Sequence, residues 1–482
     1  VTLEKLEPRA IWTQFEALAA IPRPSKHEER AAAYVMEQAK RRGREARRDG
    51  AGNVLVRVPA TRGREKAPPV VLQGHLDMVC EKNRDVAHDF MKDPIRPRIA
   101  GEYVTATGTT LGADNGIGVA AALAVLASDD LDHGPLELLF TVDEETGLTG
   151  ASRLEPGFVT GRRMLNLDSE DDGVLYIGCA GGRDSNLTVV LNRAKPPARA
   201  VPVSVSVEGL RGGHSGVNIH ENRGNALKLL ARVLLAAEEL RPALVSLEGG
   251  DKHNAIPREA TALVWVTNPA RLVEIAARMV EGFRTELEGT DDGVRVVVEN
   301  AAPGDEGGAL ESADHARLVR LLGALPHGVL AMSGVIPGMV ETSNNLAVAR
   351  LSGKEARIVT SSRSSVASSL EGVLQQVRAA ALLAGADVET TDGYPGWKPN
   401  PKSPLLESAR QVHKKLRGND PQVTAIHAGL ECGIIGQRIP GMDMISFGPQ
   451  IEGAHSPEER VRIPSVAAFW EYLRAFLKEL AG

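Results

Sequence analysis

The chain has 482 residues, 43% of them hydrophobic and 24% charged, the balance of an ordinary globular protein long enough for two or three domains. A formal net charge of −6 leaves no basic footprint for nucleic acid or an anionic membrane, and the longest strongly apolar run, residues 118–127, is far short of the ~20 that a spanning helix needs. No basic stretch followed by an apolar one opens the sequence, and the three cysteines (Cys80, Cys179, Cys432) are odd in number and far apart. The expectation is a cytoplasmic protein with neither signal peptide nor disulfide framework, in which any metal is held by His, Asp and Glu.

The first third alternates helix and strand signals. Ile11, Phe15 and Leu18 recur at helical spacing, and residues 31–42 continue as a second helix. The basic run 40–48, with nothing aromatic interleaved, reads as a solvated helix end. Residues 53–58 alternate like a half-buried strand, while 70–72, 138–142 and 164–167 read as buried strands, with a helix after the glycine-rich turn at 112–118. Apolar strands separated by helices predict a mostly parallel sheet covered on both faces.

The middle has another texture. Strands are predicted at 201–207, 261–266, 294–298, 346–351 and 357–360, and helices at 225–240, 271–287 and 370–384. Lys195-Pro196-Pro197 before this stretch and Tyr394-Pro395-Gly396-Trp397 after it look like boundaries. The last segment ends in a helix with Val466, Phe469, Leu473, Phe476 and Leu480 on one face. The simplest arrangement is an α/β domain assembled from residues 1–190 and 396–482, with an α+β domain, 191–395, inserted between.

Several acidic or histidine-bearing segments directly follow apolar strands, where an α/β sheet places its active site. In Gly74-His75-Leu76-Asp77 the two polar residues project to one side of an extended segment, and a metal-binding imidazole wants a carboxylate at its other nitrogen. Taken alone, His75 also reads as a histidine hydrogen-bonded at a strand end. Glycines flank Asp114 in Gly112-Ala113-Asp114-Asn115-Gly116 and let it approach a ligand, although a lone Asp before a helix is also a cap. Asp143-Glu144-Glu145 places three carboxylates after a buried strand, where they repel one another unless a cation or proton intervenes. Asp168 and His455 follow in Asn166-Leu167-Asp168 and Gly453-Ala454-His455-Ser456. Each segment is weak separately. Together their oxygen and nitrogen donors suit one or two divalent ions such as zinc, cobalt or manganese.

This ordered set resembles the M20 metallopeptidases, most closely their aminoacyl-histidine (Xaa-His, or beta-alanyl-histidine) dipeptidase branch. Further likeness lies in Arg211-Gly212-Gly213-His214-Ser215-Gly216, in His253-Asn254-Ala255-Ile256-Pro257 and in His427-Ala428-Gly429-Leu430-Glu431. The resemblance implies a di-metal hydrolase domain and an inserted lid domain. His75, Asp114 and Asp168 would hold one ion, and Asp114, Glu145 and His455 the other; zinc is the default. Asp77 would orient His75, Glu144 would be the general base toward a metal-bridged hydroxide, and His214 would hold the oxyanion. Asn254 would contact substrate and Arg363 would grip its carboxylate.

The implied activity is hydrolysis of unblocked Xaa-His dipeptides such as carnosine. The rivals are a tripeptidase, an N-acyl amino acid deacylase, and a non-catalytic peptide- or metal-binding protein on the same scaffold. The expected partners are a small peptide substrate and a second copy in a homodimer. His427 and Glu431 are placed near the ligands only by segment order. The remaining histidines (His27, His88, His133, His220, His253, His315, His327, His413) read mostly as surface residues, and Cys80 as a buried apolar one.

Overall fold

The computed structural model describes residues 3–303 and 308–482. The chain divides into two compact units: Val1–Cys179 with Trp397–Ala425 and Leu430–Gly482, and Ala180–Gly396 with Ile426–Gly429.

The first unit is built on an eight-stranded sheet in the order Glu45–Arg48, Val54–Val58, Leu136–Thr141, Val70–His75, Arg163–Asn166, Asp443–Ser446, Val174–Cys179 and Gln422–Ile426. Parallel pairing joins the four strands from Leu136–Thr141 to Asp443–Ser446. The two strands before them pair antiparallel, and so does Val174–Cys179 after them. Leu136–Thr141 and Val70–His75 are buried along their whole length, as strands covered on both faces must be. The helix Ala113–Ala127 is apolar nearly all round and correspondingly buried. The closing helix, Ile463–Ala481, has proline in its first turn and buries the stripe Val466, Phe469, Leu473, Phe476 and Leu480.

The second unit carries an antiparallel sheet in the order Arg295–Asn300, Val201–Glu208, Ala260–Val266, Ala243–Gly249, Val340–Ser352, Glu355–Ser364, Gly181–Val190 and Asp387–Thr390, with Gly328–Met332 added beside Val340–Ser352. The helices Ala226–Ala236, Pro269–Glu286, Ser312–Ala324 and Ala367–Leu383 supply Leu230, Phe283, Leu322 and Val377 to its core. This is the α+β texture that the strict alternation at Val201–Glu208 predicts.

Four expectations need correction. The second unit begins at Ala180, not 191, because Gly181–Val190 pairs along its length with Glu355–Ser364 and so belongs to that sheet. The basic run is only partly a helix end: the helix stops at Arg41, Gly43 takes a positive φ of 62°, and Glu45–Arg48 becomes an edge strand that its charges keep soluble. The helix predicted over 225–240 ends at Ala236 and tightens into a 3₁₀ turn at Glu238–Leu240, ahead of Pro242. Finally, His133, His315 and His413 are buried and not on the surface. Backbone carbonyls replace water for two of them: His133 Nδ1 lies 2.7 Å from Gly134 O and His413 Nδ1 3.1 Å from Asn419 O.

Candidate metal centre

Of His75, Asp77, Asp114, Glu144, Glu145, Asp168 and His455, five come from the C-terminal ends of three adjacent strands in the first unit or the turns just beyond them; Asp114 stands in the first turn of Ala113–Ala127 and His455 in the loop after Ile451–Glu452. His75 closes Val70–His75 and is almost completely buried. Gly74 before it has no room for a side chain, since a Cβ there would stand 2.3 Å from Asn115 Oδ1. Asp77 receives hydrogen bonds from the Ser25 hydroxyl (2.7 Å) and from the backbone N–H groups of Glu144 and Glu145 (3.1 Å each). Its Oδ1 lies 3.3 Å from His75 Nδ1. Burial would raise the Asp77 pKa, but His75, Ser25 and the Glu144 amide outweigh it and hold the group at about 2. Asp77 is therefore an anion that fixes the His75 ring and leaves Nε2 directed at the site.

The Asp114 loop is held by a residue that sequence reasoning missed. The buried Glu459 carboxylate accepts four consecutive backbone N–H groups: Leu111 (2.7 Å), Gly112 (2.9 Å), Ala113 (2.7 Å) and Asp114 (3.2 Å). Arg23, equally buried, donates from Nη1 to the carbonyls of Leu76 (2.9 Å) and Asp77 (2.7 Å) and from Nη2 to that of Gly112 (2.5 Å). These two charges tie the turn after the His75 strand to the loop that carries Asp114. Neither sits in a motif; only their long-range backbone partners reveal them.

Asp114 lies between two histidines. Its Oδ1 is 3.1 Å from His75 Nε2, and its Oδ2 is 3.1 Å from His455 Nε2. Asp168 Oδ1 stands 3.2 Å from the same His75 nitrogen, and Glu145 Oε2 3.2 Å from the same His455 nitrogen. Two triads result, His75–Asp114–Asp168 and Asp114–Glu145–His455, sharing Asp114. Each Nε2 has one hydrogen or one lone pair, yet each faces two carboxylates. Glu145 Oε1 and Asp168 Oδ1 are buried without a hydrogen-bond partner among the described residues. A divalent cation inside each triad would satisfy these surplus groups, and the all-oxygen-and-nitrogen set fits zinc, cobalt or manganese.

The electrostatics agree. Burial works against protonation of His75, but Asp168, Asp114 and Asp77 raise its pKa well above the usual value; hydrogen bonds to Asp114 and Glu145 raise that of His455 to about 11. Burial, with Asp168, Glu145 and Glu431 nearby, pushes Glu144 well above the carboxylate range, against the pull of His75. Asp168 rises to about 6, Glu170 to about 8 and Glu431 to about 8, burial leading in each. So dense a negative cluster requires positive charge, and Glu144 is one of the carboxylates that burial and its neighbours push toward the protonated form.

The remaining candidates lie in the second unit. His214 stands in a two-residue strand paired with Ala255–Ile256. Its Nδ1 accepts the N–H groups of Gly216 and Val217, both at 3.1 Å, which places the ring proton on Nε2. Burial, with Arg363 and His253, lowers its pKa to about 4 and keeps it a neutral donor. Asn254 immediately precedes the partner strand, and its carbonyl accepts Ser215 N–H at 2.8 Å. Arg363 is buried, donates to the Tyr394 hydroxyl at 2.7 Å, and its Nε has no partner among the described residues. His427 also belongs to this unit, with Nε2 2.7 Å from Ser343 Oγ, whereas Glu431 lies in the first, accepting from Gln73 and Thr141 at 2.6 Å each. Cys80 is half-buried beside the Asp77 turn, and burial raises its thiol to about 11.

The chain resembles known proteins over nearly its whole length. The model of peptidase family M20/M25/M40 matches residues 71–479. The chain is 43% identical over 483 residues to the cytosol non-specific dipeptidase of Escherichia coli (strain K12), covering 99% of each. It is also similar to the crystal structure of aminoacylhistidine dipeptidase from Vibrio alginolyticus, with a TM-score of 0.92 and 44% identity over 99% of this chain and 98% of that one. The aminopeptidase PepT structure from Bacillus cereus shares the fold, at a TM-score of 0.59 and 18% identity over 99% of this chain and 100% of that one. No helix among the described residues is long and apolar enough to cross a membrane.

Proposed function

We propose that this chain, which belongs to peptidase family M20/M25/M40, is a two-metal dipeptidase that cleaves peptides with a free N-terminus, Xaa-His dipeptides such as carnosine among them. The observation that carries the metal-dependent part is the double triad, in which two histidine nitrogens each face two carboxylates and share Asp114. The substrate class is supported by the dipeptidase names of the two relatives above 40% identity.

When bound, two divalent ions supply Lewis acidity for a scissile carbonyl and acidify a water. The chain's own residues do the rest. His75, Asp114 and Asp168 would hold one ion, and Asp114, Glu145 and His455 the other. Asp77 keeps the His75 ring in one tautomer. Glu144, beside the ligand Glu145, takes the proton from the attacking water and returns it to the leaving amine. His214, neutral with its proton on Nε2, donates to the oxyanion. Arg363 offers a planar fork to the terminal carboxylate, and Asn254 is a polar contact for the peptide.

Purified protein is to be assayed on beta-alanyl-histidine, alanyl-histidine, a tripeptide and an N-acetylated amino acid, before and after chelation, with bound metal counted. About two metals per chain and chelator-sensitive cleavage of the dipeptides are expected. Fastest cleavage of the acetylated substrate or the tripeptide overturns the dipeptidase reading; cleavage that survives complete metal removal overturns the metal centre.

A further inference from the structure

One layer beneath the metal ligands, the central parallel strands carry polar side chains where a buried sheet normally carries apolar ones. Gln73, Thr141, Asn166, Ser446 and Glu431 are all fully buried. Gln73 stands opposite Asn166 in the sheet register, and Asn166 opposite Ser446, so three adjacent strands contribute to one row. The row is hydrogen-bonded end to end. Ser169 Oγ lies 2.5 Å from Ser446 Oγ, Ser446 donates to Asn166 Oδ1 at 2.5 Å, Asn166 Nδ2 donates to Gln73 Oε1 at 2.6 Å, and Gln73 Nε2 donates to Glu431 Oε2 at 2.6 Å. The Thr141 hydroxyl donates to that same oxygen at 2.6 Å.

Such a row has a direction. Glu431 Oε2 accepts from both Gln73 and Thr141, so the Gln73 amide turns its nitrogen to it and its oxygen to Asn166. Asn166 is then fixed with its oxygen toward Ser446, whose hydroxyl hydrogen is committed there. Ser169 must therefore donate to Ser446, and every hydrogen in the row points toward Glu431. Without an acceptor at that end, both amides are free to flip.

The row also has a place. Side chains two apart on a strand share a face, and His75 lies two residues beyond Gln73, as Asp168 lies two beyond Asn166. The Asn115 amide, which donates to Leu167 O at 2.7 Å, adds a further tie beside Asp168. Glu145 and His455 stand farther from the row: Glu145 on the short helix Glu144–Gly147, four residues beyond Thr141 and with its own N–H held by Asp77, and His455 in the loop after Ile451–Glu452, nine residues beyond Ser446.

We propose that Glu431 is a positioning residue: it terminates a buried, one-directional hydrogen-bond row that holds the His75–Asp168 half of the metal centre in place and leaves the Glu145–His455 half unaffected. The inference rests on the two-metal reading above. It adds that the two ions are supported unequally by the protein beneath them.

The test is zinc binding to chelator-stripped protein, followed by calorimetry, in a His455→Ala background that reports the His75–Asp168 half and an Asp168→Ala background that reports the other. Glu431→Met keeps the volume and removes the acceptor. It is expected to weaken zinc binding at the His75–Asp168 half by about 10–100-fold, the usual cost of losing a partner behind a ligand, while the other half stays within about threefold. Glu431→Gln keeps an acceptor oxygen and is expected to recover most of the loss. Equal weakening of both halves, no weakening, or no recovery in Glu431→Gln overturns the proposal. If Glu431→Met does not fold, Ser446→Ala breaks the row at its far end, and a smaller loss at the same half is expected; a symmetric or absent effect there overturns it equally. Failure of the native protein to bind zinc, cobalt or manganese would instead overturn the underlying two-metal reading, and the two failures are distinct.

Discussion

The two units use the same residue type in opposite electrostatic settings. In the first, His75 and His455 are ringed by carboxylates, and both are pulled toward the protonated form. In the second, burial and the charge of Arg363 hold His214 and His427 neutral, at about 4 and about 3. The first surrounding asks for a cation; the second suits a neutral donor facing an anion. A histidine in a sequence therefore announces little by itself. Which charges share its pocket decides whether it binds metal or donates a hydrogen bond.

Substitutions that break this contrast rank by how much charge they strand. The largest effect is expected from Asp114→Ala, because Asp114 is common to both triads. Metal analysis should find both ions lost and hydrolysis at background; retention of one tightly held ion would argue against sharing. Next comes Glu144→Ala, expected to lower kcat by about 10²–10⁴-fold while the metal count is unchanged. Undiminished turnover would remove Glu144 from the proton path.

Arg363→Ala tests the opposite pocket. Losing a charged hydrogen-bond pair worth ~1.5–3 kcal/mol should raise KM for dipeptides by about 10–100-fold and leave substrates with an amidated C-terminus unaffected. An equal penalty on both would show that Arg363 does not meet the carboxylate.

The effect least visible in turnover is one of stability. The folded pKa of His427 lies near 3, below its unfolded value, chiefly through burial and then Arg363. As pH falls below about 6.5, the unfolded chain takes up this proton first, so stability drops by up to ~1.4 kcal/mol per pH unit and levels off near the folded value. Urea unfolding between pH 7 and pH 4 should therefore show a shallower acid loss in His427→Gln than in the native protein. Parallel curves would mean that His427 titrates normally.

Much of the metal centre was legible in the sequence because most of its ligands follow apolar strands, and a parallel sheet gathers strand ends at one edge. His75, Glu145 and Asp168 meet for that reason, whereas Asp114 comes from the first turn of Ala113–Ala127 and His455 from the loop after Ile451–Glu452. What supports them was not legible. Glu459, Arg23, Gln73, Asn166 and Ser446 are ordinary polar residues in the linear text, and Gln73 meets Glu431 across 358 positions. Their meaning lies in strand register and in backbone groups that no motif records. The unit boundary was misplaced for a related reason: Lys195-Pro196-Pro197 breaks the chain locally, but the partner of Gly181–Val190 is what assigns that strand to a unit.

Chain order gives the metal centre a birth sequence. The ligands of one triad are all present once residue 168 has been made, whereas the other waits for His455. Asp443–Ser446, an inner strand of the same sheet, also arrives only after the whole second unit has been synthesised. During translation the nascent chain thus carries the complete ligand set for one ion long before the set for two.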